Sequence, residues 1–251
     1  MVFSHVNEGE MNLGDATTSA FTLFEAIDLD VSYLGRDFLK CCGHDQKWQG
    51  LTEVFEKLKA YNQKKIQQSG IDTLVSSCAE CFRTFARDYE LEDIKVMHTT
   101  EFLIEQGFDM NLKAEEETTV TYHDPCRLGR QMGVYEEPRE LIQSVEGVSI
   151  VEMEHSGEDA MCCGVSSMMS CNENARALRV ARMEEIKSTG ADTMLTACPK
   201  CVTHFECLKF EGDERYADIK ILDVVSFLAQ QINEKKENIG QTSVPVIETE
   251  A

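Results

Sequence analysis

Three absences narrow the possible classes of this protein before any motif is considered. The 251-residue chain has no run of about 18 apolar residues, and it therefore predicts no membrane-spanning helix. Positive charge is scarce, because 24 Lys and Arg stand against 45 Asp and Glu, a formal net charge of -21. Nucleic acids and anionic membranes would be repelled by such a chain. The first residues lack the basic and then apolar layout of a secretion signal, and we expect a cytoplasmic protein.

Cysteine, in contrast, is abundant. The chain contains 11 cysteines, and most of them are clustered. Two pairs, Cys41 with Cys42 and Cys162 with Cys163, are adjacent in sequence and are poor candidates for a disulfide within the pair. In a chain without an export signal, clustered thiols favour metal or redox chemistry over a disulfide scaffold.

The sequence also repeats itself. Three blocks recur in the same order about 120 residues further along the chain. Residues 41–43 recur as 162–164, residues 70–81 as 190–201, and residues 93–96 as 218–221. We therefore predict two copies of one unit, residues 1–116 and 117–232, followed by a flexible acidic tail at 233–251.

Each unit is predicted to alternate strands and helices. The predicted strands are 2–4, 30–34 and 73–75 in the first unit, and 120–123, 148–153 and 193–195 in the second. Apolar residues at helical spacing predict helices between 51 and 66 and between 175 and 186, ending near Gly70 and Gly190. Strand–helix–strand order predicts an α/β fold with two tandem pseudo-symmetric units, each a small parallel-sheet Rossmann-like unit.

The second unit has more thiols than a simple metal site needs. Five cysteines follow its predicted strands: Cys126, Cys162, Cys163, Cys198 and Cys201. A tetrahedral zinc ion or an ordinary cubane cluster needs four. The surplus indicates an iron–sulfur centre with an unusual number of ligands.

The cysteine pattern resembles a known family. Cys126, the Cys162-Cys163-Gly164 turn and the Cys198-Pro199-Lys200-Cys201 turn closely resemble the cysteine-rich CCG domain, which occurs twice in the catalytic B-type subunit of heterodisulfide reductase and in related subunits of sulfur-oxidising and quinone-linked complexes. The resemblance implies a noncubane [4Fe-4S] cluster in the second unit, held by those five cysteines, which act in catalysis through the cluster. It also implies an oxidoreductase subunit that makes or breaks a sulfur–sulfur bond.

The resemblance further implies partners. A flavin-bearing A-type subunit and a cubane-cluster C-type subunit would exchange electrons with this chain, since it has no GxGxxG fingerprint or flavin motif of its own. The substrate would be a small thiol or disulfide, or a sulfur-carrier protein.

The first unit departs from the family pattern. Cys41, Cys42, Cys78 and Cys81 match it, but no cysteine precedes Cys41. The position equivalent to Cys126 is His5, so the first site is expected to hold an altered iron–sulfur cluster or zinc, with His5 as a possible ligand and His44 as a weaker one. We therefore predict bond chemistry at the second site, as in a heterodisulfide-reductase-like sulfur-oxidising complex.

Two other functions remain open at this stage: a non-catalytic electron-transfer or docking subunit, and a zinc-stabilised structural module. Several further residues have two interpretations each. Arg127 and Arg130 could hold an anionic thiol or form surface ion pairs, and Trp48 could flank a pocket or only pack. His123 and Asp124 could relay protons or shape the loop before Cys126. Cys171 and Cys207 are expected to be structural thiols.

Overall fold

A computed structural model describes residues 15–35, 38–165 and 172–233. The predicted strand at 2–4 and the predicted tail beyond residue 233 lie outside these ranges. Within them, no helix is both long enough and apolar enough to cross a membrane.

Three helices precede the first described strand, and from there onward the described strands are separated by helices. The first half contains α1 (Asp15–Ala26), α2 (His44–Trp48), α3 (Thr52–Gln68), β1 (Thr73–Ser76), α4 (Ala79–Asp88), β2 (Lys95–His98) and α5 (Thr99–Glu105). The second contains β3 (Lys113–His123), α6 (Gly129–Met132), α7 (Glu136–Gln143), β4 (Glu146–Ile150), α8 (Glu173–Ser188), β5 (Thr193–Thr196), α9 (Pro199–Phe210), β6 (Lys220–Asp223) and α10 (Val224–Asn233).

The strands form two parallel sheets. In the first half, β1 pairs with β2 from Thr73↔Lys95 to Ser76↔His98. In the second half, four strands lie in the order β4-β3-β5-β6, and all their pairings are parallel. The β5–β6 register repeats that of β1–β2, because Thr193 pairs with Lys220 as Thr73 pairs with Lys95. The prediction of an α/β fold with tandem parallel-sheet units is confirmed.

Three predicted strands differ from the structure. The strand predicted at 120–123 is the end of β3, which begins at Lys113. The segment 30–34, predicted as a strand, has only a single bridge residue, Tyr33, and no ladder with a neighbouring strand. The strand predicted at 148–153 is β4, which begins and ends earlier. Beyond Ile150, the Val151 N–H still donates to the Val120 carbonyl oxygen at 2.9 Å. Met153 is no longer part of the strand, and its side chain is buried in the core.

The helix ends before the CxxC motifs agree with the sequence. Helix α3 ends at Gln68 and α8 at Ser188, each followed by a glycine with positive φ, 70° at Gly70 and 74° at Gly190. Glycine adopts this left-handed conformation without strain. Each helix therefore reverses sharply into the strand that leads to a CxxC motif.

Two apolar cores support the cysteines. The larger core joins both halves, because α1 packs against α10 and the buried set includes Leu23, Leu103 and Phe205. A smaller core, with Phe55 and Ile66, lies in the first half and includes the side chain of Cys42. Both cysteine sets are therefore held on packed elements.

Candidate metal centre

Each CxxC motif lies where a parallel strand ends and a helix begins. Cys78 is the N-cap residue of α4, and Cys198 is the N-cap residue of α9. The second cysteines, Cys81 and Cys201, lie in the first turns of these helices. The unpaired N–H groups and positive dipole end of each helix favour the thiolate form of nearby cysteines.

The two CCG turns place their cysteine pairs in contact with the CxxC motifs. Gly43 and Gly164 have φ values of 81° and 82°. A Cβ atom on Gly164 would lie 2.5 Å from the Ala175 carbonyl oxygen, so this turn closes directly on helix α8. A Cβ atom on Gly43 would lie 2.8 Å from the Phe55 ring. Only glycine fits either position without strain.

As a result, each CCG pair contacts its own CxxC pair. The sulfur atoms of Cys42 and Cys81 are 3.1 Å apart, and those of Cys163 and Cys201 are 3.4 Å apart. In the second half the Gly164 N–H also points at the Cys162 sulfur, 3.4 Å away.

The two cysteine sets meet. The thiol of Cys198 interacts with that of Cys78, across the boundary between the halves. Neighbouring sulfurs form one continuous row, in the order Cys41, Cys42, Cys81, Cys78, Cys198, Cys201, Cys163, Cys162 and Cys126. All the cysteines of both predicted motifs are therefore brought together.

The thiols of the first set divide into two kinds. The pKa of Cys42 is held below its usual range, mainly because the thiols of Cys41 and Cys81 donate to it. The pKa of Cys78 is lowered by donation from Cys198 and Cys81. The donors Cys41 and Cys81 have raised pKa values in return.

In the second set, burial and most contacts between thiols raise the pKa values, while donation from Cys201 opposes the rise at Cys198 and Cys163. Donation to Cys162 raises the pKa of Cys163 to about 12 and that of Cys126 further. Donation to Cys163 raises the pKa of Cys201. Buried, touching thiols cannot all ionise unless positive charge lies among them. This donor set therefore fits metal ions bound to thiolate, such as the iron of an iron–sulfur cluster.

His123 lies beside the second set. One of its ring nitrogens is within 4.8 Å of the Cys163 and Cys201 sulfurs. The Arg182 Nε group donates to His123 Nδ1 at 3.1 Å, so the proton of the neutral ring is assigned to Nε2. Burial and Arg182 lower the pKa of His123 to about 3. His123 is thus a neutral hydrogen-bond donor next to the cysteines.

Asp124, in contrast, shapes the loop before Cys126. Both of its carboxylate oxygens accept from the Arg139 guanidinium, at 2.7 and 2.9 Å, and one accepts from the Gly157 N–H at 2.8 Å. These bonds favour the loop-structuring interpretation of Asp124. Arg130 is also structural, because it donates to the carbonyl oxygens of Glu158 and Ala160.

An ion pair that sequence reasoning missed joins the two CxxC turns. Lys200 Nζ lies 2.6 Å from Glu80 Oε2 and also contacts Asp45, and Lys200 is buried. Glu80 and Lys200 occupy the same position in the two motifs. Burial, and then Cys78, raise the pKa of Glu80, and the ammonium group of Lys200 opposes this rise. The opposite charges at equivalent positions were the signal that could have identified this pair.

His44 has partners other than the first cysteine set. Its Nδ1 atom bonds the Thr84 hydroxyl at 2.9 Å, and its Nε2 atom is 3.5 Å from a Glu80 oxygen. Burial and Arg127 lower the pKa of His44 to about 3. His44, Asp45 and Glu80 could together hold a cation, and Lys200 already contacts both carboxylates.

The leading position of the first set differs from that of the second. In the second half, β3 pairs with the outer edge of β5 and ends three residues before Cys126. In the described part of the first half, no strand covers the equivalent edge of β1. A cavity of about 920 Å³ extends along β1 to Cys78 and Lys200. His5 and Cys171 lie outside the described residues, and Cys207 is half-buried on α9.

Comparison with known proteins also divides the chain into two halves. The model of a family described as the cysteine-rich domain, CCG, matches residues 18–86 and 120–206, one segment in each half. The chain belongs to the CCG cysteine-rich domain family. Its two copies of the domain carry the paired cysteines and CxxC turns described above.

Three relatives are similar to the chain. The chain is 34% identical over 218 residues to the D subunit of the dihydromethanophenazine:CoB–CoM heterodisulfide reductase of Methanosarcina acetivorans, covering 82% of the chain and 52% of the relative. It is 33% identical over 193 residues to the B subunit of the fumarate reductase (CoM/CoB) of Methanothermobacter marburgensis, covering 75% and 38%.

The third is the probable iron-sulfur-binding oxidoreductase FadF of Bacillus subtilis, 30% identical over 190 residues, covering 71% of the chain and 26% of the relative. The chain thus spans about half or less of the length of these relatives.

Proposed function

We propose that this chain is an iron–sulfur redox subunit that makes or breaks a sulfur–sulfur bond at its second cysteine set. The observation that supports this most strongly is the set of five thiols, Cys126, Cys162, Cys163, Cys198 and Cys201, joined by contacts between neighbouring sulfurs. Similarity to a heterodisulfide reductase subunit and a fumarate reductase (CoM/CoB) subunit supports a redox role.

The five thiols are proposed to hold a noncubane [4Fe-4S] cluster. Such a cluster, once bound, would supply one-electron chemistry and iron with an affinity for sulfur. The protein would keep the cysteines as thiolates through the N-terminus of helix α9. Burial of Cys163, Cys198 and Cys201 would exclude water. Neutral His123 would offer a hydrogen bond to the ligand sulfurs.

The overall reaction conserves atoms and electrons. A disulfide RS–SR′ takes up two electrons and two protons, its S–S bond breaks, and two thiols, RSH and R′SH, leave; oxidation of two thiols is the reverse. We propose that the electrons come from a reduced iron–sulfur cluster in a cubane-bearing partner subunit. A flavin-bearing subunit would in turn reduce that cluster.

The first cysteine set is proposed to have a supporting role. Its four thiols, Cys41, Cys42, Cys78 and Cys81, would hold an altered iron–sulfur cluster or a zinc ion, with His5 as a proposed further ligand. With an iron–sulfur cluster at the first set, contact between Cys78 and Cys198 supports a relay of electrons to the second set; with zinc, the role of the first set would be docking or structural. The family match in each half supports the proposed division into units 1–116 and 117–232.

One experiment tests the proposed function directly. The chain would be purified without oxygen, and disulfide reduction would be measured with reduced methyl viologen as the electron donor. Turnover should require Cys162 and Cys163, whereas a Cys207→Ser control should keep it. NADH should support little turnover, because the chain has no nucleotide fingerprint. Iron-containing protein without disulfide turnover would favour the electron-transfer or docking alternative.

The zinc alternative has one supporting observation, which is that the first set offers the four thiols of a tetrahedral site. Metal and sulfide analysis distinguishes it from the proposed function. Zinc alone, without iron or acid-labile sulfide, would identify a structural module and overturn the redox proposal.

A further inference from the structure

Arg127, which lies where the two cysteine sets meet, contacts an aromatic ring where the neighbouring cations contact carboxylates. Arg127 follows Cys126 in the second half, and its guanidinium carbon lies 3.9 Å from the centre of the Trp48 ring. Trp48 belongs to α2, the helix that directly follows the Cys41-Cys42-Gly43 turn of the first half. Arg127 therefore bridges the two sets on the protein surface.

The neighbouring cations each contact a carboxylate. Arg83, whose guanidinium lies 5.5 Å from the same Trp48 ring, pairs with Asp88. Lys47 also pairs with Asp88, at 2.6 Å. Lys200 pairs with Asp45 and Glu80, as described above.

Arg127 differs, because within the described ranges its guanidinium has no hydrogen bond and no carboxylate within 4 Å. Stacking on Trp48 covers one face of a guanidinium and leaves its N–H edges available. Those edges match the two oxygens of a carboxylate or phosphate in a bidentate contact. Trp48 itself is 41% exposed, so a ligand can reach the pair from solvent.

The charge of the whole chain makes this local cation significant. A net charge of -21 repels anions at a distance, and a cation without a carboxylate partner offsets this repulsion locally. The positive charge of Arg127 acts on groups of both halves, because it opposes the rise in the pKa of Cys126 and helps to lower the pKa of His44. The cation therefore stands beside the cysteine row, where a sulfur substrate would have to approach.

We infer that Arg127, held in place by Trp48, is a binding site for the anionic group of a small thiol or disulfide substrate. This inference rests on the proposed function only for the sulfur end of the ligand. The anion site follows from the stacked, unneutralised guanidinium itself, and it assigns a negatively charged substrate class to the chain.

The test compares three ligands of similar length. The first is 3,3′-dithiodipropionate, a dianionic disulfide. The second is suberate, which keeps both carboxylates but replaces the S–S bond with methylenes. The third is 2-hydroxyethyl disulfide, which keeps the S–S bond without charge. Binding to the anaerobically purified chain would be measured by calorimetry and by the emission of Trp48, the only tryptophan in the sequence.

The two dianionic ligands should bind. Arg127→Gln should lower the affinity for each by about tenfold to a hundredfold, because a hydrogen bond to a charged group is lost. Arg127→Lys should restore binding only in part, because lysine lacks the planar fork. Trp48→Leu should weaken the same ligands, and 2-hydroxyethyl disulfide should respond to none of these changes. Arg215→Gln, which removes an arginine paired with Asp213 and Glu184, is the matched control.

The outcomes separate the two proposals. Suberate binding that depends on Arg127, without any disulfide turnover, would retain the anion site and refute the sulfur chemistry. Turnover in which KM for 3,3′-dithiodipropionate is unchanged by Arg127→Gln would refute the anion site and retain the sulfur chemistry. Equal weakening by Arg127→Gln and Arg215→Gln would show a general charge effect and would also overturn the inference.

Discussion

The two halves share their geometry and differ in their chemistry. Both place a CxxC motif at a helix N-terminus, and both press a CCG turn against it through a glycine with positive φ. They differ at the leading position, where the second half has Cys126 after a paired strand and the first half has no cysteine before Cys41. They also differ in the charge inside the CxxC motif, Glu80 against Lys200. A repeat can therefore keep one scaffold while its copies take different roles.

The largest expected effect follows from that division of roles. In the assembled complex, Cys198→Ala should abolish turnover of the thiol substrate, because it removes a ligand of the five-thiol set. Cys78→Ala should reduce turnover less, because the first set only supports the second. Steady-state rates with the two variants decide the question. A loss confined to Cys78→Ala, with Cys198→Ala still active, would reverse the assignment of the two sites.

The ion pair between the halves should contribute the next largest effect. Lys200→Glu would place three carboxylates together in a buried site, and Glu80→Lys would place two ammonium groups there. Removing one partner of a buried pair typically costs about 3–5 kcal/mol. Each single change should therefore lower the midpoint of urea unfolding, and the double exchange should recover most of the loss.

A surface pair provides the control for this exchange. Lys113 and Glu146 also join two segments, at 2.6 Å, but both side chains are largely exposed. Exchanging them should leave the unfolding midpoint unchanged within error, because water screens exposed pairs. If the double exchange of Glu80 and Lys200 is as unstable as the single variants, their pairing does not hold the halves together.

The two CCG turns should respond unequally to alanine, and this is the smallest expected effect. A Cβ atom at Gly164 meets a backbone carbonyl at 2.5 Å, which cannot move without disturbing α8. At Gly43 it meets the Phe55 ring at 2.8 Å, and a side chain can shift. Gly164→Ala should therefore destabilise the protein by about 2–4 kcal/mol and Gly43→Ala by about 1–3. Calorimetric unfolding compares them, and an equal loss would show that the two turns are equally rigid.

Much of this arrangement could be predicted from the sequence because the signals are local. Apolar spacing and a following glycine predicted α3 and α8 with the turns at Gly70 and Gly190. Short apolar runs before CxxC predicted β1 and β5. The prediction of a strand at 30–34 was wrong, because the residue pattern does not reveal whether a neighbouring strand is present to pair with it.

The contacts between halves were not predictable in the same way. Nothing in either motif alone indicates that Cys78 meets Cys198, or that Arg127 stacks on Trp48. These contacts depend on how the two units pack, through α1 against α10 and through the core that they share. Repetition predicted two similar sites, and only their packing makes them one row of sulfurs.

The central claim is that the second cysteine set holds a [4Fe-4S] cluster through five thiolates, independently of whatever metal the four thiols of the first set bind. Iron and acid-labile sulfide in the anaerobically purified chain test it most directly, with a Cys162→Ala/Cys163→Ala variant and a Cys41→Ala/Cys42→Ala variant compared side by side. We expect the first variant to lose about four irons and a matching amount of sulfide, together with the visible absorbance of the cluster. The second variant should keep them. Full iron content in the Cys162→Ala/Cys163→Ala protein would contradict the claim.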